Sequence, residues 1–233
     1  MHTRRKFLIQ GSLATTAMLA LKPLKTVAST VSQLTGYNGY GKLIFLHTAI
    51  PDQQSNLAIL QHISNIQGGN TIVLHAGQVA QQAGTGPSVY DSSIDEINGQ
   101  TGITGNYKII MKGNIKTGII SANPEDADVL QKVNDLSTWL KKEKSCTVVV
   151  CLSQLGYKNK NTPDDITIAK KTIHLDMIIG GNTKNFHQQP VILLNSNNEE
   201  VIIHSAAGES TALGKIDIGF NATGEKNHVS FAN

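Results

Sequence analysis

Short apolar runs of strand length alternate with amphipathic stretches along most of this chain. Lys42–Ile50 (KLIFLHTAI) and Asn70–His75 (NTIVLH) are near-continuous apolar runs, and both read as strands. Between them Leu57, Leu60, Ile63 and Ile66 recur at helical spacing, so Gln53–Ile66 reads as an amphipathic helix. Strand, helix, strand implies a parallel crossover. Val79–Asn106 is polar, Gly-rich and weakly patterned, with a short helix predicted near Ser92–Ile97. Tyr107–Met111 and Lys116–Ser121 flank a turn at Lys112–Ile115 and predict a hairpin. Pro124, Glu125 and Asp126 mark a helix start, and Val129, Val133, Leu136 and Leu140 give that helix its apolar stripe. Later strands are predicted at Cys146–Leu152, Asp176–Ile179, Val191–Asn195, Val201–Ser205 and Leu213–Phe220. A helix from Pro163-Asp164-Asp165 to Thr172 separates the first two. Strands alternating with helices, then antiparallel pairs, predict an α/β protein with mixed sheets in one domain spanning residues 42–233.

The amino terminus has a different pattern. Arg4, Arg5 and Lys6 precede a modest apolar run, Leu8–Leu21, and small residues follow at Thr26–Ser29. That layout predicts a signal peptide over residues 1–29 and an exported protein, periplasmic or extracellular. Thr3-Arg4-Arg5 with Phe7-Leu8 resembles the twin-arginine export signal, although Ile9 stands where a Lys is usual, so the general secretory route stays open. The apolar run is too short and interrupted for a membrane span. Residues 30–41, rich in Gly, Ser and Thr, read as a flexible lead-in.

The leader also changes the charge. The whole chain carries 20 basic and 17 acidic side chains for a net charge of +3. The first 29 residues contribute five of the bases and no acid, which leaves fifteen against seventeen, or −2. A basic groove for nucleic acid is not supported. Cys146 and Cys151, five residues apart on one predicted strand, face opposite ways and are too distant to pair.

Active sites of such folds gather at the carboxyl ends of strands. Four segments there resemble the 5'-nucleotidase branch of the calcineurin-like metallophosphoesterases. LIFLHTAIPD is similar to the family's Leu-His-Thr-Asn-Asp-x-His, and IVLHAGQV to Leu-Asp-Ala-Gly-Asp. VVVCLSQLGY is similar to Leu-Ser-His-x-Gly, and DMIIGGNTKNF to Asp-Ile-Ile-x-Gly-His-Thr-His. The resemblance runs from about Lys42 to Ile218 and implies a layered sandwich of two mixed β-sheets flanked by helices.

It also implies a site with two divalent metals that activate hydroxide and clamp phosphate. At the matched positions this chain departs from the family. The first motif's Asp is Ile50 and its His is Asp52; the bridging Asp is Gln78; the third motif's His is Gln154. The final His pair is Asn182 and Lys184, and the Gly-Asn-His-Glu loop has as its counterpart Gly105-Asn106-Tyr107-Lys108. Neutral amides bind such metals weakly, and two cations about 3.5–4 Å apart need a bridging carboxylate. The expectation is therefore a degenerate cleft at Ile50, Asp52, Gln78, Gln154, Asn182 and Lys184, with no metal cofactor and a non-catalytic binding or accessory role. The cleft would suit a small polar ligand. A separate partner would supply the family's substrate-recognition domain. The alternative is a phosphoester hydrolase whose altered or mononuclear metal site uses Asp52, Asn106 and a strand histidine. A generic α/β binding domain is the third reading. Of the charged pairs outside these motifs, Asp126 with Asp128 and Asp164 with Asp165 read as helix-start charges.

Overall fold

The computed structural model describes residues 41–48, 69–77, 107–160, 163–182, 184–185, 187, 189–205 and 213–232, with the backbone of 88–90 and 101–102. The predicted helices at Gln53–Ile66 and near Ser92–Ile97 lie outside the described residues, as do the leader and all of the lead-in but Gly41, which begins the first strand.

Twelve strands and two helices are described. β1 (Gly41–Thr48) and β2 (Thr71–His75) pair in parallel, with Ile44 opposite Thr71 and Thr48 opposite His75. β3 (Ser88–Tyr90) and β4 (Thr101–Gly102) extend this sheet antiparallel from β2. Neither was expected, because two- and three-residue strands in a polar, Gly-rich segment leave no alternating pattern to read. β11 (Leu213–Phe220) and β12 (Lys226–Ala232) complete the order β12-β11-β1-β2-β3-β4. β12, with polar Lys226, Asn227 and His228 at its start, was also unforeseen.

The second sheet has the order β5-β6-β7-β8-β10-β9. Its centre is parallel: β6 (Ile115–Ala122), β7 (Val148–Ser153), β8 (Met177–Gly180) and β10 (Glu200–Ser205). Their side chains are nearly all buried, as a strand covered on both faces demands. The edges, β5 (Tyr107–Lys112) and β9 (Val191–Leu194), run antiparallel, and β5 and β6 form the predicted hairpin.

Helices α1 (Val129–Lys142) and α2 (Asp165–Lys171) pack on one face of this sheet. Val129, Val133 and Leu140 are buried there, together with Val149, Cys151, Ile178, Val201 and Ile203. Gly118 lets α1 approach closely, since a Cβ at that position would sit 2.8 Å from Leu140 Cδ1. The parallel pairing of β1 with β2 and the two helices agree with the sequence, with two corrections. α1 starts at Val129, not Pro124, and no acid stands in its first turn. Asp126 instead folds a turn of its own, accepting from Asn123 N at 3.0 Å and pairing with Lys132 at 2.8 Å. Cys146 lies ahead of β7 and joins the same apolar cluster as Cys151, so the two do not face opposite ways; both are free thiols.

The chain divides into two compact units. One holds Leu43–Ile216 with Phe231 and Ala232, and therefore every residue of the site described below. The described part of the other is Gly41–Lys42 with Asp217–Ser230, where Lys42 pairs with Asp217 at 3.1 Å and Asn221 closes the β11–β12 turn onto Glu225.

Candidate functional site

Parallel strands deliver their carboxyl ends to one side of a sheet, and here those ends bring together residues far apart in sequence. Gln154 follows β7, with its N–H donated to Ala122 O at the end of β6 at 2.9 Å. Gly181 follows β8 and donates to Ser153 O at 2.7 Å. From the other sheet comes Ala76, just past β2, tied to Thr48 O at 3.0 Å. Gly181 lies so near the Ala76 carbonyl that a Cβ would collide with backbone, which explains why glycine stands there.

Amides close this junction. Gln154 Nε2 donates to Ala76 O across the two sheets. Asn182 Nδ2 donates to Gln154 O at 3.3 Å, and Asn182 Oδ1 accepts from the backbone N–H groups of Lys184 and Asn185, both at 3.0 Å. Asn185 in turn binds Asn159 Oδ1 at 2.8 Å and Lys158 O at 2.6 Å. The predicted residues Gln154 and Asn182 therefore meet. Lys184 contributes its backbone while its side chain is exposed. Tyr107 does not join them: it starts β5, and its ring packs on Trp139 of α1 at a centroid distance of 4.8 Å. Ile50, Asp52, Gln78 and Asn106 lie outside the described residues.

A cavity of about 550 Å³ opens beside Asn182, lined among others by Asp126, Asp128, Leu155, Asn159 and Pro163. Asp128 caps α1 with left-handed backbone (φ 51°), and its side chain makes no capping hydrogen bond.

One buried polar group near these strand ends, Asp165, carries unusual electrostatics. Asp165 accepts through Oδ1 from Ser153 Oγ, which in turn accepts from Leu155 N at 3.2 Å. Burial, reinforced by the neighbouring Asp164 carboxylate, pushes the Asp165 carboxyl up to about 7 against the pull of the Ser153 bond. Asp164 is an ordinary cap, accepting from Thr167 N at 2.7 Å. Both stand at the start of α2 as read, Asp164 as its cap and Asp165 in its first turn, but Asp165 is buried rather than a solvated charge. A sequence signal existed: Asp165, Ile168, Ala169 and Thr172 share one helical face, and all four are buried.

Between the sheets, His47 Nε2 and His204 Nδ1 lie 2.7 Å apart with rings edge to face. Phe231 stacks on His204. Burial holds both imidazoles neutral; it lowers His204 to about 4 and, with His204 as a second cause, lowers His47 well below its usual value. His75, also buried, is lowered by the same desolvation.

A dinuclear metal centre of the kind implied by the resemblance needs anionic donors with free lone pairs. At this junction the described candidates are neutral amides, with the Asn182 carbonyl already accepting from two backbone N–H groups, and without a carboxylate they do not fit such a centre. Among the described residues, no three His, Cys, Asp or Glu side chains are grouped to hold a metal ion.

Neither a protein-family model nor a curated protein sequence matches the chain. Solved structures do. NAD nucleotidase of Haemophilus influenzae superimposes with a TM-score of 0.58 at 14% identity, over 83% of this chain and 49% of that one. The 5'-nucleotidase precursor of Thermus thermophilus gives 0.58 at 15%, over 82% and 54%. The chain spans about half the length of these structures and shares their fold: the layered, metallophosphoesterase-like sandwich of 5'-nucleotidases.

Proposed function

We propose that this domain with a 5'-nucleotidase fold is an exported binding or accessory protein that has lost the family's dinuclear metal centre and does not hydrolyse phosphoesters. The observation that carries this reading is the amide junction: Gln154 to Ala76, and Asn182 to Gln154, Lys184 and Asn185. A metal ligand must present lone pairs to the ion. Here the Asn182 carbonyl is held by two backbone N–H groups, and Gln154, a neutral amide, is tied through its Nε2 to the other sheet. A hydrogen bond of this kind supplies about 1 kcal/mol and needs no cation to hold the strand ends together. The adjoining cavity falls within the size range of small-molecule sites, about 300–1,000 Å³.

The basic, acid-free leader supports export. Among the described residues no helix is long and apolar enough to cross a membrane. A separate chain carrying a substrate-recognition domain belongs to the same proposal, and co-purification from the exporting cell tests it.

The deciding experiment is metal analysis of the processed protein, combined with assays on nucleoside monophosphates and bis(4-nitrophenyl) phosphate with added Mn²⁺ or Zn²⁺. The expected result is substoichiometric metal and no turnover above background. Two equivalents of metal with phosphate release would overturn the proposal. One equivalent with turnover would favour the mononuclear hydrolase.

A further inference from the structure

We propose that Asp165 is a proton-operated latch for the segment Gln154–Lys160, holding it on the strand ends when protonated and releasing it when ionised. The segment follows β7 and supplies Leu155 and Asn159 to the wall of the cavity beside Asn182, so the latch sets access to that cavity. Asp165 lies in the first turn of α2, is 1% exposed, and reaches the segment along two routes. Its backbone N–H donates to Gly156 O at 3.0 Å. Its Oδ1 accepts from Ser153 Oγ, and the same hydroxyl accepts from Leu155 N at 3.2 Å. Its Oδ2 and Ser205 Oγ both crowd Gly180, where a Cβ would stand 3.3 and 2.5 Å from them. Ser153, Gly180 and Ser205 end β7, β8 and β10, so one carboxyl sits among three strand ends.

Among the described residues no cation pairs with this carboxyl. On α2 the near charge is Asp164, another acid, while Lys170 and Lys171 stand in the last turn. β7 presents Cys151, whose thiol burial keeps neutral. Asp176 and Glu200 stand at the opposite ends of β8 and β10, and His204 turns to His47 of the other sheet. From α1, Lys132 is paired with Asp126 at 2.8 Å. Burial accordingly pushes the Asp165 carboxyl up to about 7, with Asp164 adding to the rise and the Ser153 bond opposing it. Ionised in place, it would be a buried charge without a partner, so water must reach it. The segment is the side that yields. Lys158 and Lys160 are exposed and Tyr157 and Asn159 half-buried, whereas α2 is pinned by buried Ile168 and Ala169 and by the Asp164 cap.

Native-state amide exchange of the full-length processed protein, followed from about pH 5.5 to about pH 8.5, tests the latch. Protection factors divide out the intrinsic pH dependence of exchange. For Leu155 and Tyr157 they should hold steady below about pH 6 and fall about tenfold per unit above about pH 7, the slope of one released proton. Amides within α1 should keep theirs. Asp165→Asn cannot ionise and should leave the segment protected across the range. Ser153→Ala removes the bond that favours the charged form, so at Tyr157 the fall should begin at higher pH. A merely structural Asp165 would change overall protection without moving that midpoint. Protection independent of pH, an Asp165→Asn profile that falls like the parent's, or a fall shared equally by α1 would each overturn the proposal. If the Asn variant does not fold, the parent's Asp165 side-chain ¹³C signal replaces it, and a midpoint at the ordinary carboxylate value overturns the proposal. Exchange is read without metal or substrate, so failure here leaves the non-hydrolytic reading of the strand ends standing.

Discussion

Replacing Asp165 by Asn removes one buried acid while keeping its shape and its contact with Ser153. An unfolded Asp titrates near 3.8, whereas the folded carboxyl titrates at about 7. Between those values the native chain binds a proton that the unfolded chain does not, so the parent loses stability as pH rises through the window. Each pH unit corresponds to about 1.4 kcal/mol, so the full span from 3.8 to 7 corresponds to about 4 kcal/mol. The Asn variant has no such term. Asp164, not Asp165, caps α2, so the cap survives the substitution. The stability difference between variant and parent should therefore move in favour of the variant by about 3 kcal/mol from about pH 5 to about pH 8, most of it by about pH 7. Taking that difference cancels the titration of every other group the two proteins share. Urea unfolding at about pH 5, 6, 7 and 8, read by Trp139 fluorescence and far-UV circular dichroism, measures it. A difference that stays flat with pH, or grows toward acid, would show that Asp165 is not held protonated, and the argument from its burial would be wrong.

The histidines give a trend of opposite sign. His204 is lowered to about 4 against an unfolded value near 6.5, so its contribution is complete above 6.5 and is lost as pH falls toward 4. His204→Asn should flatten the acid side of the stability curve by about 3 kcal/mol at about pH 4, measured by the same urea titrations. Gln154→Ala leaves the Ala76 carbonyl without its donor and should cost about 1–3 kcal/mol in thermal or urea unfolding, with the secondary structure unchanged. Leu140→Ala empties the space against Gly118 and should cost about 2–5 kcal/mol; a cost below about 1 kcal/mol would mean that α1 does not pack as described.

The sequence alone specified those parts of this protein that rest on local periodicity. Runs such as TIVLH and VVVCL are apolar on both faces because the strands they form are covered twice, and that pattern survives without any knowledge of neighbours. The stripe through Val129, Val133 and Leu140 fixed the buried face of α1 for the same reason. Motif order pointed to the nucleotidase fold, and the superpositions agree. Tertiary structure decided the rest. β3, β4 and β12 exist through pairing with neighbours, since their own residues carry too little apolar alternation to declare them. Asp126 and Asp128 looked like dipole-matching charges until the chain placed them beside a cavity formed with Leu155 and Asn182, residues more than twenty positions away. Asp165 became buried because β7 brought Ser153 beneath the start of α2, and the amide junction arose because β2, β7 and β8 end at one place. Local pattern records which face a residue must hide; only three-dimensional proximity sets which partners it meets there, and partners set its charge and its chemistry.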